Sequence, residues 1–176
     1  MKTNKKAIQI VAILFFIIVL VCIFPIPRKI DKIVPAFEWQ NGNANYQKQT
    51  QIKIKGIYKD YLFRRDTFKG TICIDGYDYT SDGTHELRPF TFFNNDAHLQ
   101  YMDKKTFYFK SLGTIYRNPN WDKTLICVYK ELEGRREWSE DDGIIISAPA
   151  TTREEAMKVV DNIKQYDGWI SRIKWK

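Results

Sequence analysis

Histidine is the side chain that most often transfers protons near neutral pH, and this chain has two, His85 and His98. Neither stands in a recognised catalytic setting, and no serine lies in a G-x-S-x-G elbow or an S-x-x-K pair. Both are predicted to be surface or strand residues. Acid/base chemistry would instead need carboxylates such as Asp75, Asp78 and Glu86, and only if the fold brings a pair of them together. The sequence leaves enzymatic activity open and favours its absence.

A short acidic segment, DGYDYTSDG, carries oxygen ligands at the spacing of a calcium-binding loop. Asp78, Thr80 and Asp82 fall at positions 1, 3 and 5 of that register, and Gly83 falls at position 6, where a turn is needed. Position 12 is Pro89 instead of a bidentate glutamate. A β-turn rich in Asp and Gly accounts for the same residues. The segment therefore indicates a turn, with a metal site as the alternative, and no cofactor is indicated.

Two cysteines, Cys73 and Cys127, lie in predicted strands outside the apolar N-terminal run. They are candidates for a disulfide, which requires Cα atoms about 4.4 to 6.8 Å apart and an oxidising compartment. The alternatives are two independent half-buried thiols, or a nucleophile paired with His85 or His98. Because the cysteines lack a C-x-x-C spacing, they do not indicate a zinc site.

Two tryptophans stand in predicted loops, Trp121 in RNPNW and Trp138 beside an acidic run. Loop aromatics are favoured at protein interfaces, so both are candidates for contact with a partner. The alternative is that each ring covers part of the hydrophobic core. The sequence leaves both explanations open.

An apolar run, residues 7–24, extends from Ala7 to Phe24. The elements that position the side chains above begin after it. The run contains no charge, and as a helix it would extend about 27 Å, close to the ~30 Å hydrocarbon core of a bilayer. Lysines precede it in the basic N-terminus, residues 1–6. The sequence predicts a single-pass transmembrane helix, a signal anchor that holds the chain in the lipid bilayer of the cell membrane.

The flanks of this run bear on cleavage and on orientation. A cleaved signal peptide would have a shorter apolar core followed by small residues, whereas Pro25 and Pro27 follow here. Three basic residues precede the run and three follow it, Arg28, Lys29 and Lys32. Short basic N-termini usually stay in the cytoplasm, and long domains translocate regardless of their charge. The rest of the chain is therefore predicted to be extracytoplasmic.

Residues 25–36 contain three prolines and mixed charges, which disfavour helix and predict an extended juxtamembrane stalk. Residues 37–176 are enough for one domain with a core and too few for two. The formal net charge of the whole chain is +7. Its basic pairs, at 64–65 and 135–136, sit beside acidic residues, so they predict solvated turns and no nucleic-acid surface.

The domain is predicted to be mainly β, in the α+β class. Segments such as QIKIKGIY alternate apolar and polar residues with a period of two, as half-buried strands require. Aromatic residues make up 15% of the chain and favour pleated surfaces. Short connections favour antiparallel pairing in a sheet, sandwich or partial barrel. The predicted strands are 46–55, 58–63, 68–75, 86–93, 98–102, 106–112 and 123–132.

One helix is predicted in this domain, near its C-terminus, and it should lie on the sheet. Thr151 or Thr152 can cap it, and Glu154 or Glu155 completes a capping box. The closing residues, 168–176, alternate imperfectly and predict a final edge strand. Apolar residues recur at the spacing of one helical face at Ala156, Val159, Val160, Ile163 and Tyr166.

A resemblance to a known group of proteins is found in residues 56–80, GIYKDYLFRRDTFKGTICIDGYDYT. This segment, the proline-flanked exit from the apolar run and SLG at 111–113 resemble a group of uncharacterised membrane-anchored proteins of Gram-positive bacteria. The resemblance extends over most of the chain and implies membrane anchorage, but no activity, cofactor or catalytic residue. The pattern is carried by Tyr61, Leu62, Phe63, Asp66, Phe68 and Gly70.

The sequence leaves three functions open. The first is an extracytoplasmic binding or interaction module without catalysis, whose partner is a protein, a secreted peptide or a cell-wall component. The second is an immunity or self-protection membrane protein. The third is a membrane-tethered hydrolase built from the carboxylates above. A cleft with perturbed carboxylates facing each other would favour the hydrolase, and an exposed patch of Trp and Tyr would favour the interaction module.

Overall fold

The computed structural model describes residues 5–132 and 135–176. Its first element, helix α1, spans Lys5–Ile23. Within the described residues, no helix combines the length and the apolar character needed to cross a membrane. The span expected from Ala7 to Phe24 therefore has no support from the structure and stays a prediction. Residues 1–4 of the expected basic N-terminus lie outside the described residues.

The rest of the described chain is built mainly from strands. Nine of them form one sheet, and the other two form a separate hairpin. In chain order the strands are β1 (Ile26–Gln40), β2 (Asn43–Asp60), β3 (Thr67–Ile74), β4 (His85–Leu87), β5 (Phe90–Thr91), β6 (Asp96–Asp103), β7 (Phe109–Arg117), β8 (Thr124–Val128), β9 (Lys130–Leu132), β10 (Arg135–Glu137) and β11 (Ile144–Ala148).

The nine-stranded sheet is antiparallel and curled. Its strand order is β4-β6-β7-β8-β11-β1-β2-β3-β5, and β9 pairs only with β10 among the described strands. The two ends of the sheet curl toward each other, because β3 contacts β4 and β5 contacts β6. The result is a half-barrel, which confirms the prediction of a mainly β, antiparallel fold and corresponds to the partial barrel among the three architectures that the sequence left open.

The longest pairing joins β1 to β2 and starts with Ile26 opposite Asp60. Residues 25–36 were expected to form an extended juxtamembrane stalk. They are extended, but from Ile26 onward they are paired with β2 as the first part of β1. Ile30 and Val34 lie half-buried against the inner core, which is why this proline-containing segment is a strand of the domain.

Two further differences from the expected strands have a clear cause. The segments 46–55 and 58–63, expected as two strands, are joined as far as Asp60 in the single strand β2, and residues 61–63 lie in the loop that follows it. Strand β11 was not predicted at all. Its sequence, IIISA, lies between the inner core and a helix and is buried on both faces, so it lacks the alternation by which a half-buried strand is recognised.

Helix α2 covers the outer face of the sheet and spans Arg153–Lys164. Thr152 Oγ1 accepts a hydrogen bond from the Glu155 backbone N–H at 3.2 Å, and Glu155 Oε2 accepts one from the Thr151 backbone N–H at 2.8 Å. Thr152 is therefore the cap, and Glu155 closes a variant of the expected capping box, in which it accepts from Thr151 N–H, one residue before the cap. Its buried face consists of Ala156, Val159, Val160 and Ile163.

Hydrophobic clusters fill both sides of the sheet. The inner cluster lies in the concavity of the half-barrel, and the outer cluster lies between the sheet, α2 and the C-terminal segment. Inner members include Ile52, Ile54, Tyr58, Phe68, Leu99, Tyr101, Ile115 and Ile126, and outer members include Phe37, Trp39, Tyr116, Leu125, Cys127 and Ile145.

The edge strand expected at residues 168–176 is wrong. The Asp167 carboxylate accepts hydrogen bonds from the backbone N–H groups of Trp169 and Ile170, at 2.9 Å each. These bonds start a short 3-10 helix, Ile170–Arg172, instead of a strand. The hydrogen bonds to the buried Asp167 carboxylate thus determine the conformation of this segment. The imperfect alternation of its side chains does not.

Candidate binding groove

A groove of about 220 Å³ opens on the helix-bearing face of the sheet. It lies where β7 and β8 meet the β9–β10 hairpin and the segment that follows α2. The side chains that line it are Thr114, Tyr116, Cys127, Tyr129, Arg136, Glu137, Trp138 and Trp169.

The floor of the groove follows from strand register. Thr114 and Tyr116 share one face of β7, because alternate residues of a strand point the same way. Cys127 of β8 lies opposite Thr114. Burial raises the pKa of the Cys127 thiol, so at neutral pH it is a neutral, weakly nucleophilic group.

The wall of the groove is aromatic. Tyr116 and Trp169 stack with ring centroids 5.8 Å apart and an interplanar angle of 12°. Trp138 meets Trp169 edge-on at 5.5 Å, and its indole N–H donates to the Ile144 carbonyl at 3.1 Å. Trp169 itself remains 47% exposed. The wall is therefore fixed by ring packing and still presents aromatic surface to solvent.

One corner of the groove is polar. The Tyr129 hydroxyl lies 2.6 Å from Thr114 Oγ1 and 2.8 Å from His98 Nδ1. Burial raises the pKa of the Tyr129 hydroxyl, which therefore stays protonated at neutral pH. The corner can both donate and accept hydrogen bonds beside the aromatic wall.

The rim of the groove carries charges of both signs. Arg136 and Glu137 are consecutive residues of β10. A second groove of about 230 Å³ shares Tyr129 and Arg136 with the first and is otherwise lined by Tyr77, Tyr79, Lys110, Ser111, Leu112 and Val128. Burial raises the pKa of Tyr79 to about 12, although Arg136 opposes the shift. The two grooves form a continuous candidate surface around the hairpin.

Two carboxylates outside the groove lie near each other. Burial raises the pKa of Asp96, and the charge of Asp167 raises it further. Asp167 is already engaged as the cap of the last helical turn. Neither side chain lines either groove. In the described part of the chain, this pair comes closest to the perturbed carboxylates that would favour a hydrolase.

The two tryptophans proposed as contact residues have different environments. Trp138 lies in the groove wall, where it can reach a partner. Trp121 is buried in the inner cluster, with its ring 5.7 Å from Tyr58 and 5.4 Å from both Phe68 and Phe92. Trp121 therefore covers the core, which is the alternative that the sequence left open.

Cys73 and Cys127 are both free thiols in the structure, so the candidate disulfide is not formed. Cys73 is on β3 and Cys127 is on β8, four places apart in the sheet order. At ~4.8 Å between neighbouring strands, that separation is about 19 Å along the sheet. Cys73 is half-buried, and Cys127 is fully buried beneath α2.

The candidate calcium ligands form a turn. Thr80 Oγ1 accepts a hydrogen bond from the Ile74 backbone N–H at 2.9 Å. Asp82 accepts hydrogen bonds from the Thr84 backbone N–H at 2.8 Å and from its hydroxyl at 2.7 Å. Asp78 begins the short 3-10 helix Asp78–Thr80. No cluster of three or more His, Cys, Asp or Glu side chains suited to a metal occurs in the described chain.

The remaining candidates for acid/base chemistry are spread over the domain. Asp75, Asp78 and Glu86 are exposed, and none of them lines either groove. His85 lies near two carboxylates, 3.6 Å from Asp82 and 3.9 Å from Asp103. His98 contacts Tyr129 of the first groove, and His85 contacts Tyr79 of the second, with ring centroids 5.8 Å apart.

Sequence reasoning missed several residues that line the groove and one that lies in the inner cluster. The groove brings together Tyr116, Tyr129 and Trp169 from distant segments. The only sequence signal for the first two was the alternation of side chains in IYR and CVY. Arg117 was also missed. It follows Tyr116 in the sequence but points into the inner cluster, where its guanidinium lies 4.5 Å from the ring centroids of Tyr58 and Phe92.

The fold and the groove define a small β domain with an aromatic surface groove. Comparison with models of protein families, with curated proteins and with solved structures finds no match. The resemblance drawn from Tyr61 to Gly70 therefore stays a prediction from the sequence.

Proposed function

We propose that the chain is a membrane-tethered, extracytoplasmic interaction module that binds a segment of a partner protein without catalysis. The observation that carries this proposal is the groove with Tyr116, Trp138 and Trp169 on its wall. The partner inserts an apolar side chain against these rings, and its polar backbone groups bind at the corner formed by Tyr129 and Thr114.

The composition and the size of the groove favour a protein ligand. Tyr, Trp and Arg are the residue types enriched where proteins bind each other most tightly. Small-molecule pockets usually measure about 300–1,000 Å³, so the groove suits a single inserted side chain better than a whole cofactor. The opposite charges of Arg136 and Glu137 at the rim can orient a peptide segment.

The same side chains give little support to catalysis. The Cys127 thiol is neutral because burial raises its pKa. Asp96 has a raised pKa, but it lies outside the groove lining. A binding role needs none of these groups to change its protonation state.

The membrane tether rests on the sequence, in which residues 7–24 are apolar and uncharged, and on the exposed basic residues that follow them. A helix that is apolar on all sides requires an apolar environment. The basic residues Arg28 and Lys29 follow it and are exposed, where a membrane surface would hold them. Exposed apolar side chains of α1 include Ile8, Val11, Leu14, Phe15, Phe16 and Ile18.

The binding role is tested by calorimetric titration of the full chain in detergent micelles. The probes are blocked tripeptides of the form Gly-X-Gly, with X as Phe, Leu, Lys or Asp, and the disaccharide of N-acetylglucosamine as a cell-wall probe. We expect saturable binding when X is Phe or Leu. Trp169→Ala should abolish it, since this change removes the exposed ring of the groove wall.

Tyr108→Ala is the matched control, because Tyr108 is an exposed aromatic residue outside both grooves. It should bind the Phe and Leu probes like the natural chain. Binding that survives Trp169→Ala unchanged would contradict the groove as the site. Selective binding of the disaccharide would replace the protein partner with a wall component.

The orientation is tested in intact cells with Tyr108→Cys in a Cys22→Ser, Cys73→Ser background. Position 108 is 79% exposed, so a membrane-impermeant maleimide should label it if the domain faces outward. Lysed cells provide the positive control. Labelling that occurs only after lysis would place the domain in the cytoplasm and rule out the extracytoplasmic part of the proposal.

A further inference from the structure

The loop between β2 and β3 exposes two large apolar side chains. Leu62 is 65% exposed and Phe63 is 74% exposed. Arg64 and Arg65 follow them and are also exposed. Adjacent apolar side chains turned to solvent and flanked by basic residues are typical of a surface that contacts something else.

The strand register places this loop beside the end of the N-terminal helix. Ile26, the first residue of β1, lies opposite Asp60, the last residue of β2. The chain enters β1 shortly after α1 ends at Ile23, and it leaves β2 directly into the 61–66 loop. The loop and the exit of α1 are therefore at the same end of the domain.

Asp66 holds the base of the loop in one conformation. Its carboxylate accepts a hydrogen bond from the Tyr61 backbone N–H at 2.9 Å, and its carbonyl accepts one from the Phe92 backbone N–H at 2.8 Å. The carboxylate is held in turn by Arg117 at 3.2 Å. A loop closed in this way presents Leu62 and Phe63 without a large further loss of conformational freedom on binding.

A neighbouring loop enlarges the patch. Phe93 is exposed, and the guanidinium of Arg65 lies 4.4 Å from the centroid of its ring. Lys59 and Lys29 are exposed at the same end, where Lys59 lies opposite Pro27 and Lys29 lies opposite Ile57 in the pairing of β1 with β2. Two of the acidic groups at this end are engaged, since Asp60 pairs with Arg28 at 2.7 Å and Asp66 pairs with Arg117; Asp96, which shares backbone hydrogen bonds with Phe93, is a third acidic group there.

We propose that the 61–66 loop, with Phe93, is a second membrane contact, in which Leu62 and Phe63 enter the interface of an anionic bilayer while Arg64 and Arg65 bind lipid headgroups. This inference rests on the proposed tether at α1. Two observations favour a lipid surface over a second protein. The patch is continuous with the proposed tether, and its basic residues outnumber its acidic ones. The contact fixes the tilt of the domain, so that the aromatic groove keeps a defined height above the membrane.

The test uses the full chain reconstituted in vesicles of equal parts phosphatidylcholine and phosphatidylglycerol. An environment-sensitive fluorophore is attached at Phe63→Cys in the Cys22→Ser, Cys73→Ser background, with Cys127 left in place because it is buried. The matched control carries the fluorophore at Tyr108→Cys, on the turn between β6 and β7. That turn is at the opposite end of the half-barrel, because β7 runs from it toward Arg117.

Lipids that carry a nitroxide near the headgroup then report contact with the membrane. We expect quenching at position 63 to exceed quenching at position 108 several-fold. Replacing both Arg64 and Arg65 with Gln should reduce the quenching at 63 in the anionic vesicles. Equal quenching at the two positions, or none at either, would overturn the loop contact. An emission shift at 63 without quenching would mean that a second copy covers the loop, which also overturns it.

Alkaline carbonate extraction of the same vesicles separates this inference from the proposal on which it rests. If the chain stays in the membrane fraction while position 63 is not quenched, the loop contact fails and the tether stands. If the chain is extracted, the tether fails, and the membrane contact of the loop fails with it.

Discussion

Arg117 donates a hydrogen bond from its guanidinium to the Asp66 carboxylate across 3.2 Å, at the end of the half-barrel where the N-terminal helix joins it. The Arg117 side chain is 3% exposed and that of Asp66 is 21% exposed. The Tyr58 hydroxyl donates to Asp66 and accepts from Arg117. Hydrogen bonds thus connect the Arg117 guanidinium of β7, the Tyr58 phenol of β2 and the Asp66 carboxylate of the loop before β3.

Asp66→Asn should destabilise the fold by about 2–3 kcal/mol, because it leaves the buried guanidinium of Arg117 without its counter-charge. Denaturant unfolding of the full chain in micelles measures this loss. Asp60→Asn is the control, since the ion pair between Asp60 and Arg28 is solvent-exposed and should contribute less than about 1 kcal/mol. Equal losses for the two variants would contradict a special role for Asp66.

Trp121→Ala should cost about 3–5 kcal/mol of unfolding free energy, because the ring packs against Tyr58, Phe68 and Phe92 in the inner cluster. Trp169→Ala should cost much less, since its ring is half-exposed. The same unfolding experiment compares the two. A larger loss for Trp169 would mean that the groove wall, and not the inner cluster, supports the fold.

Asp96→Asn should stabilise the fold near neutral pH and have little effect in acid. Burial and the charge of Asp167 raise the pKa of Asp96 in the folded chain above its ordinary value of 3.8. The stability that protonated Asp96 contributes is complete below 3.8 and is lost as the pH rises through the raised pKa. The gain should stay below about 1 kcal/mol, because water screens a half-exposed carboxylate.

Thermal unfolding of both chains from acid to neutral pH measures this difference. The advantage of the variant should grow as the pH rises. An advantage that is the same at every pH would show that the effect is not one of ionisation.

Thr152→Ala should cost about 1 kcal/mol, because it removes the side-chain acceptor for the Glu155 backbone N–H at the start of α2. Ser171→Ala, which changes an exposed hydroxyl outside α2, is the control. Denaturant unfolding compares the two. If Thr152→Ala has no effect, the packing of the helix on the sheet, and not its cap, sets its stability.

The two thiols should react at very different rates with a maleimide in the folded chain. Cys127 should not react, because it is fully buried and burial raises its pKa. Cys73 should react slowly, since it is half-buried and burial also raises its pKa. Mass spectrometry before and after denaturation measures both in a Cys22→Ser chain. Rapid labelling of Cys127 would show that the groove opens far enough to expose its floor or that α2 detaches readily from the sheet.

The sequence determined those features that depend on near neighbours in the chain. Alternation in QIKIKGIY identified a strand of the antiparallel sheet, and the spacing of Thr152 and Glu155 identified the start of α2. Both signals are local, because strand alternation and helix capping involve residues a few positions apart. The apolar run from Ala7 to Phe24 was equally plain, although its role in a membrane rests on the sequence alone.

Only the tertiary structure determined which residues from distant parts of the chain are in contact. The strand β11, buried on both faces, and the paired segment 25–36 have no local signature, since each is a strand because of its neighbours in the sheet. The meeting of Tyr116 with Trp169, and of Arg117 with Asp66, depends on how far the sheet curls and on where the C-terminal segment returns. These contacts join residues about fifty positions apart, and pairings over such separations are set by global packing and not by local propensity.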